Sequence, residues 1–565
     1  MIKFIIYLVT YFMSFFMINQ NNKINQENKI EHDNTIDQSK IEVLFKDIKK
    51  TDPGVSLAIL KNQKLVFQKN YGLANLEYNI PITENTVFHT ASVSKQFTVY
   101  AILLLMEEGK LSLNDDIKKF IPELKIKEKI TLKNLANHTS GLRDQYNLAR
   151  IAGYHSNDNI TNQQVLDIIY NQTELNFKPN SKYMYSNSGY TLLAEVVKRV
   201  SKMSFVKFTK TRIFDPLKMN NSNFIDSKNL IIKNKAYSYY KENNTFIKDV
   251  FNNESVGATN LSTTLNDLIK WSNFFTKNIT NVDALAINSM IKLESLKNGK
   301  TYGYGLGLFV NNFKGVYRIE HSGLDASFQA YIGWFPKKNT SFIYLSNNGN
   351  INGGRKVNEI TNIILKDHIN GNLRKAKKLT KSNNQVKLSN QTLTSYQGFY
   401  WNSKDRFSRE LRIVDGALHY VGSKGKLTKL IATKNNTFEF DTKEYTGVKV
   451  NSKSMEVILD DGYTLHFNKY RKSNHTLKSI KQYKGVYFSK ELNTYYTITT
   501  KNTKLIAIHQ RTGEFKLKTI SNDFYIGNKG SFRNVYFTRD SRNQINGLKV
   551  SSSRAKNLFF SKVSI

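Results

Sequence analysis

Ser92 and Lys95 stand three residues apart in Ser92-Val93-Ser94-Lys95. A serine hydroxyl is a weak nucleophile at neutral pH and needs a base beside it. At i and i+3 on a helix the two side chains share a face. Lys95 can then take the hydroxyl proton once it has lost its own, a change that burial and nearby positive charge favour. A serine at a helix start also has its backbone N–H and the positive end of the helix dipole at hand for an oxyanion. The spacing arises by chance in any Lys-rich chain, so position decides its weight. Here it opens the apolar run Phe97–Glu108, a predicted helix closed by Gly109. Ser94, between the two, reads as structural. A second group is Tyr185-Ser186-Asn187, ahead of a predicted helix over Tyr190–Val200. A phenol near a lysine can hold or relay a proton, and an amide can bind a substrate carbonyl. By itself the group reads first as a loop tyrosine. A third is His321-Ser322-Gly323, at the end of a predicted strand. Glycine there admits a substrate backbone close to the strand edge; the alternative for His321 is a turn histidine.

The elements that must position these groups follow from pattern. Val55–Lys61 and Lys64–Phe67 read as a hairpin around Asn62-Gln63. Tyr317–His321, Ala330–Phe335 and Ser341–Leu345 read as strands. Strands at both ends with helices between them predict an α+β fold, an antiparallel sheet flanked by helices. Arg374–Leu388 is basic and polar, a linker. Beyond it short strands and turn signals predict all-β structure. Tyr396-Gln397-Gly398-Phe399-Tyr400 recurs as Tyr483-Lys484-Gly485-Val486-Tyr487. Each copy is followed by an aromatic pair (Phe438 and Phe440; Phe524 and Tyr525) and by a strand ending in aromatics (Leu465–Phe467; Leu558–Phe560). Two units of about 85 residues fit two small barrels or two halves of one. The expected organisation is a signal peptide or anchor over 1–18, a polar linker over 19–40, a catalytic domain over 41–373, a basic linker over 374–388, and β units over 389–472 and 473–565.

Composition narrows the chemistry. The chain of 565 residues carries a formal net charge of +38, which points first to an anionic partner. The lysines are scattered, however, and no nucleic-acid motif accompanies them, so no nucleic-acid partner is expected. The densest basic run, Lys375–Lys381, reads as a solvated linker. Cysteine is absent, which removes disulfides, thiolate metal sites and a thiol nucleophile. There is no G-x-S-x-G elbow and no H-E-x-x-H, and Gly422–Thr428 lacks the hydroxyl residue that a phosphate loop carries directly after its lysine. No metal and no cofactor are expected. Lys3 precedes the apolar run Phe4–Ile18, and a polar stretch begins at Asn19. These are the marks of an export signal, and the run is shorter than the ~20 residues that span a bilayer comfortably. The expectation is an exported protein, periplasmic or secreted, with membrane attachment if the apolar segment is not cleaved.

Phe88–Thr98 around Ser92 and Lys95 resembles the nucleophile segment of the serine beta-lactamase and penicillin-binding-protein family. That family takes in class C beta-lactamases, family VIII esterases and D-aminopeptidases. Gly109–Asp115, His138–Leu142, Tyr302–Gly307 and Leu345–Asn347 are similar to the same family, in its order and spacing, from about Val55 to Leu365. The resemblance implies a beta-lactamase/transpeptidase-like fold with Ser92 acylated. It implies that Lys95 and Tyr185 share the proton work, and that Asn187 binds the substrate amide. It places His321 and Gly323 beside the substrate, gives the oxyanion to the backbone N–H groups of Ser92 and Leu324, and makes His138 structural. The C-terminal units resemble the lipocalin-like domains of D-aminopeptidase-type relatives. His321 stands where the family often has a lysine. An imidazole is charged only near or below its ordinary pKa of ~6.5. The expectation is therefore a preference for substrates without a carboxylate, with carboxylate-bearing substrates gaining as pH falls. The implied activity is a serine hydrolase cleaving an ester, a D-amino-acid amide or peptide, or a beta-lactam, the first two ahead of the third. Its partner is a small-molecule or peptide substrate, with the cell wall as one source. The alternative, prompted by the large β-rich C-terminal third, is a catalytically weak penicillin-binding or sensor protein of the same fold.

Overall fold

The computed structural model describes residues 36–279, 281–369 and 385–563, the last stretch with gaps at 404–406, 423–424, 442–444, 460–463, 472 and 474–475. The export segment, most of the first linker and most of the basic linker lie outside the described residues. Among the described residues no helix is long and apolar enough to cross a membrane. The chain divides into two compact units. The first is built from residues up to 146 and from 155 to 370, and the second takes 147–154 together with the C-terminal β region.

The first unit is organised on a six-stranded antiparallel sheet. Its strands are β1 (Val55–Lys61), β2 (Lys64–Tyr71), β3 (Phe309–Phe313), β4 (Val316–Asp325), β5 (Phe328–Phe335) and β6 (Thr340–Ser346), in the order β3-β4-β5-β6-β1-β2. The β1–β2 hairpin turns at Asn62 and Gln63, whose φ values of 50° and 65° supply the left-handed pair that a two-residue turn requires. β1 is buried along nearly its whole length, because it is central and covered on both faces. Its alternation sorts the layers: Val55, Leu57 and Ile59 join Ile41, Phe45, Phe342, Val357 and Ile360 in one core. Helices α1 (Gln38–Val43) and α5 (Gly353–Ile364) supply that layer.

The opposite layer holds α2 (Ser94–Glu107), α3 (Asn187–Ser201) and α4 (Leu265–Ile279). α2 is buried almost all round, which is why its sequence is an apolar run rather than a stripe. Trp271 of α4 donates its indole N–H to Gln96 of α2 at 2.6 Å, and Phe275 of α4 meets Trp334 of β5 at 4.3 Å between centroids. Both predicted helices begin earlier than their apolar runs, α3 at Asn187 itself.

The second unit contains two closed antiparallel barrels of eight strands each. One runs from Gly398–Asn402 to Thr464–Tyr470, the other from Gly485–Ser489 to Leu558–Val563. The two repeats are thus two lipocalin-like barrels and not halves of one. The repeated motif has a local cause. Tyr400 donates its hydroxyl to the carbonyl of Tyr396 at 2.5 Å, and Tyr487 does the same to Tyr483 at 2.8 Å. The glycine between them takes φ of 139° in Gly398 and 152° in Gly485. A Cβ there would press on the lysine of the last strand, Lys469 or Lys562. The motif therefore pins a helical lead-in to the first strand of each barrel. The interior of the first barrel is filled by Tyr400, Leu411, Tyr420, Phe438, Phe440 and their neighbours.

Candidate active site

Ser92 lies in a single 3-10 turn, Ala91–Val93, that feeds directly into α2. Ala91 adopts φ of 47°, a left-handed conformation that costs a residue with a Cβ roughly 1–2 kcal/mol. The turn is held by its neighbours. Ser94 donates to the carbonyl of Ala91 at 2.6 Å and accepts from the N–H of Leu261 at 3.0 Å. Thr90 donates its hydroxyl to the carbonyl of Leu261 at 3.0 Å. Ser94 thus belongs to the frame of the turn.

Lys95 is fully buried, and its Nζ faces three acceptors: Ser92 Oγ at 3.0 Å, Asn187 Oδ1 at 2.9 Å and the carbonyl of Ala258 at 2.7 Å. The Nζ also lies 4.9 Å from the ring centroid of Tyr185 and 5.4 Å from that of Tyr190, over faces that attract a cation. An ammonium there satisfies all three acceptors. A neutral amine can donate to Asn187 and Ala258 and turn its lone pair to the Ser92 hydroxyl, so the same geometry serves both protonation states.

Asn187 opens α3, and its side chain bridges Asp144 and Lys95. Its Nδ2 donates to Asp144 Oδ2 at 2.8 Å, and its backbone N–H donates to the same oxygen at 2.9 Å. A carboxylate accepts only, so Asp144 forces Nδ2 toward itself and Oδ1 toward Lys95. The side chain thus completes a line of bonds, Asp144–Asn187–Lys95–Ser92, and Nδ2 keeps a second hydrogen with which the expected substrate amide contact is compatible. His138 accepts from the N–H of Ser186 through Nδ1 at 3.1 Å and stacks 4.1 Å from Tyr185, which fixes the Tyr185–Asn187 segment from behind.

His321 and Gly323 both face α2 from β4. Gly323 lies so close that a Cβ would collide with the Thr90 carbonyl and come within 3.0 Å of the Ser92 nitrogen. One close approach at Gly323 is therefore made by the protein's own Ser92 turn. Glycine at 323 brings the strand edge up to Ser92. Leu324 points the other way, 74% exposed, so only its backbone is turned to the site. β3 pairs with β4 as far as Glu320, and β5 pairs with the whole stretch from Ile319 to Asp325 on the other side. Among the described residues no strand pairs with His321–Asp325 on the outer side, which leaves a free edge for an extended substrate.

The His321 ring corrects one expectation. It is 1% exposed and both nitrogens are engaged. Nδ1 lies 2.7 Å from the carbonyl of Ser322, which can only accept, so Nδ1 carries the hydrogen. Nε2 then accepts from the hydroxyl of Tyr304 at 3.1 Å. Burial, with the charge of Lys95 added, pushes its pKa down to about 3. The imidazole stays neutral through the physiological range and is turned inward. The predicted ring contact with substrate, and the gain for carboxylates on mild acidification, therefore do not arise from this group.

Three contributors escaped the sequence: Asp144, the Ala258 carbonyl and Tyr304. Asp144 stands two residues past the matched segment His138–Leu142, and Tyr304 lies within the matched segment Tyr302–Gly307; nothing marked the Ala258 carbonyl. Among the described residues no cluster of three His, Asp or Glu is placed to hold a metal ion.

Comparison with known proteins gives the family and the fold. The family model for Beta-lactamase matches residues 42–362. The protein flp of Staphylococcus aureus (strain MRSA252) is 30% identical over 308 residues, 52% of this chain and 59% of that protein. A penicillin-binding protein of Bacillus subtilis (strain 168) is 29% identical over 298 residues, 50% of this chain and 65% of that protein. This chain thus spans less than two thirds of the length of either. The octameric penicillin-binding protein homologue from Pyrococcus abyssi shares the fold at a TM-score of 0.53 and 22% identity, over 85% of this chain and 99% of that one.

Proposed function

The chain belongs to the beta-lactamase family, and from that premise we propose that it is a serine hydrolase working through an acyl-enzyme on Ser92. The observation that carries the reading is the placement of Lys95 Nζ, 3.0 Å from Ser92 Oγ, with two further acceptors to take the hydrogens of a neutral amine. Ser92 Oγ attacks the substrate carbonyl as its proton passes to Lys95. The oxyanion is taken by the backbone N–H groups of Ser92 and Leu324. The intermediate collapses as Lys95, with Tyr185 beside it, returns the proton to the departing alcohol or amine. Water then attacks the acyl-enzyme by the same proton path, releasing the acid and restoring Ser92.

The substrate class we infer is an ester or a D-amino-acid amide or peptide ahead of a beta-lactam. At the position where the family often has a lysine, His321 is neutral and inward-facing, so a substrate carboxylate finds no cation there. We place the enzyme outside the cytoplasm on the strength of the basic start and the apolar run Phe4–Ile18. A fluorophosphonate or penicillin probe should label the protein, and Ser92→Ala should abolish labelling. Labelling that survives the substitution removes Ser92 as nucleophile. Repeated turnover of a chromogenic ester supports the enzyme, whereas a single stoichiometric burst supports the penicillin-binding sensor.

A further inference from the structure

The active-site face of β4 carries one more side chain. Residues alternate along a strand, so Asp325 follows His321 and Gly323 on the side turned to α2. Gly323 abuts Ser92, and two residues of strand place Asp325 about 7 Å further along the free edge. Two other elements hold its carboxylate there. Thr259 donates its hydroxyl to Asp325 Oδ2 at 3.1 Å. Thr259 directly follows Ala258, whose carbonyl takes the Lys95 Nζ. His89, three residues before Ser92, brings its Nε2 to 3.6 Å from the same oxygen. That ring is packed between Phe251 and Phe328, at 4.6 and 5.7 Å between centroids.

The carboxylate is 27% exposed, and both contacts address Oδ2. Among the described residues no lysine or arginine pairs with it. In a chain with 83 lysines and arginines, a half-buried carboxylate beside the nucleophile has been left without a permanent cation. Thr259 offsets part of the desolvation of such a group, and an arriving cation offsets more.

We propose that Asp325 selects substrates that carry an ammonium group beside the scissile carbonyl, that is, aminoacyl esters or amides with a free amine. The substrate lies along the His321–Asp325 edge with its carbonyl at Ser92 and its ammonium on Asp325 Oδ1, the oxygen that neither Thr259 nor His89 addresses. This deepens the Ser92 reading by naming its substrate, and it rests on that reading for the position of the carbonyl.

The test separates the two. In the Ser92→Ala protein, calorimetric titration compares phenylalaninamide with N-acetyl-phenylalaninamide, in which an acetyl group replaces the ammonium charge. A charge-assisted hydrogen bond predicts that the free amine binds about ten- to a hundredfold tighter, and that adding Asp325→Asn brings the ratio near one. Equal affinities before that change, or a ratio that Asp325→Asn leaves intact, overturns the proposal. If Asp325→Asn does not fold, the salt dependence of the ratio decides. A charge-driven preference shrinks between 0.05 and 0.5 M salt, and a ratio unmoved by salt refutes it. Fluorophosphonate labelling of the wild type reads Ser92 independently. Labelling with no amine preference removes Asp325 alone, and an amine preference without labelling keeps Asp325 and removes the hydrolase.

Discussion

Replacing Asp144 should disable Ser92 without touching any atom that meets substrate. Asp144 Oδ2 accepts two hydrogen bonds from Asn187, at 2.8 and 2.9 Å, and Oδ1 accepts from the N–H of Tyr146 at 3.1 Å. In Asp144→Ala two buried donors on Asn187 lose their partner, at about 1–3 kcal/mol each. The sum is about 2–6 kcal/mol of stability. The Asn187 amide is also released to turn over, which would aim Nδ2 instead of Oδ1 at Lys95. In Asp144→Asn a single oxygen must choose between Asn187 and Tyr146, so the loss is smaller but of the same kind. General-base assistance is worth ~10²–10⁴-fold. We expect the rate of fluorophosphonate labelling at Ser92 to fall about a hundredfold in Asp144→Ala, about 2.7 kcal/mol in barrier, and about tenfold in Asp144→Asn. Asp144 is a positioning residue, so a second reading separates orientation from general damage. A donor facing Lys95 disfavours its ammonium, and the limb of the labelling profile that rises with pH as Lys95 loses its proton should move to lower pH in both variants. Labelling within twofold of wild type, in a variant that melts cooperatively, would refute the line of bonds from Asp144 to Ser92.

Acidification should weaken the fold through His321. Its folded-state pKa, about 3, lies below the unfolded value of ~6.5. The unfolded chain therefore takes up a proton first as pH falls. Stability is unaffected by this group above pH 6.5 and drops by about 1.4 kcal/mol per pH unit from there toward 3. Urea midpoints measured between pH 7 and 4.5 should show that slope in wild type and lose it in His321→Asn; equal slopes would disprove the buried neutral ring. Gly323→Ala should abolish labelling of Ser92, because the added methyl meets the Thr90 carbonyl and the Ser92 nitrogen in a turn already strained at Ala91. Wild-type labelling by Gly323→Ala would show that β4 and the nucleophile turn are not in contact in solution.

What could be read along the chain was what is local. Ser92 and Lys95 are one helical turn apart, so the spacing alone brought their side chains together and the apolar run behind them supplied the burial. The Tyr-x-Gly-x-Tyr repeats were legible for the same reason, since each hydroxyl bonds a carbonyl four residues back. The central sheet strands and the helix behind Ser92 were visible because burial on all sides leaves apolar runs of strand length in one and of helix length in the other. Tertiary structure decided everything that closes over distance. Lys95 finds Asn187 and Ala258 at separations of 92 and 163 residues, and Asp144 reaches Asn187 across 43. Asn187 was legible as an amide near the site, but only the acceptor-only carboxylate behind it dictates which way that amide points. His321 was legible as a histidine at a strand end, and its charge state was not, because burial, the Ser322 carbonyl and the Tyr304 hydroxyl set it together. The same holds for the barrels. Strand composition announces β structure, but closure into two is decided where the first strand of each meets its last, Phe399 with Tyr470 and Val486 with Val563. A pattern along the chain records which face of an element is buried, and it carries no record of the partner that buries it.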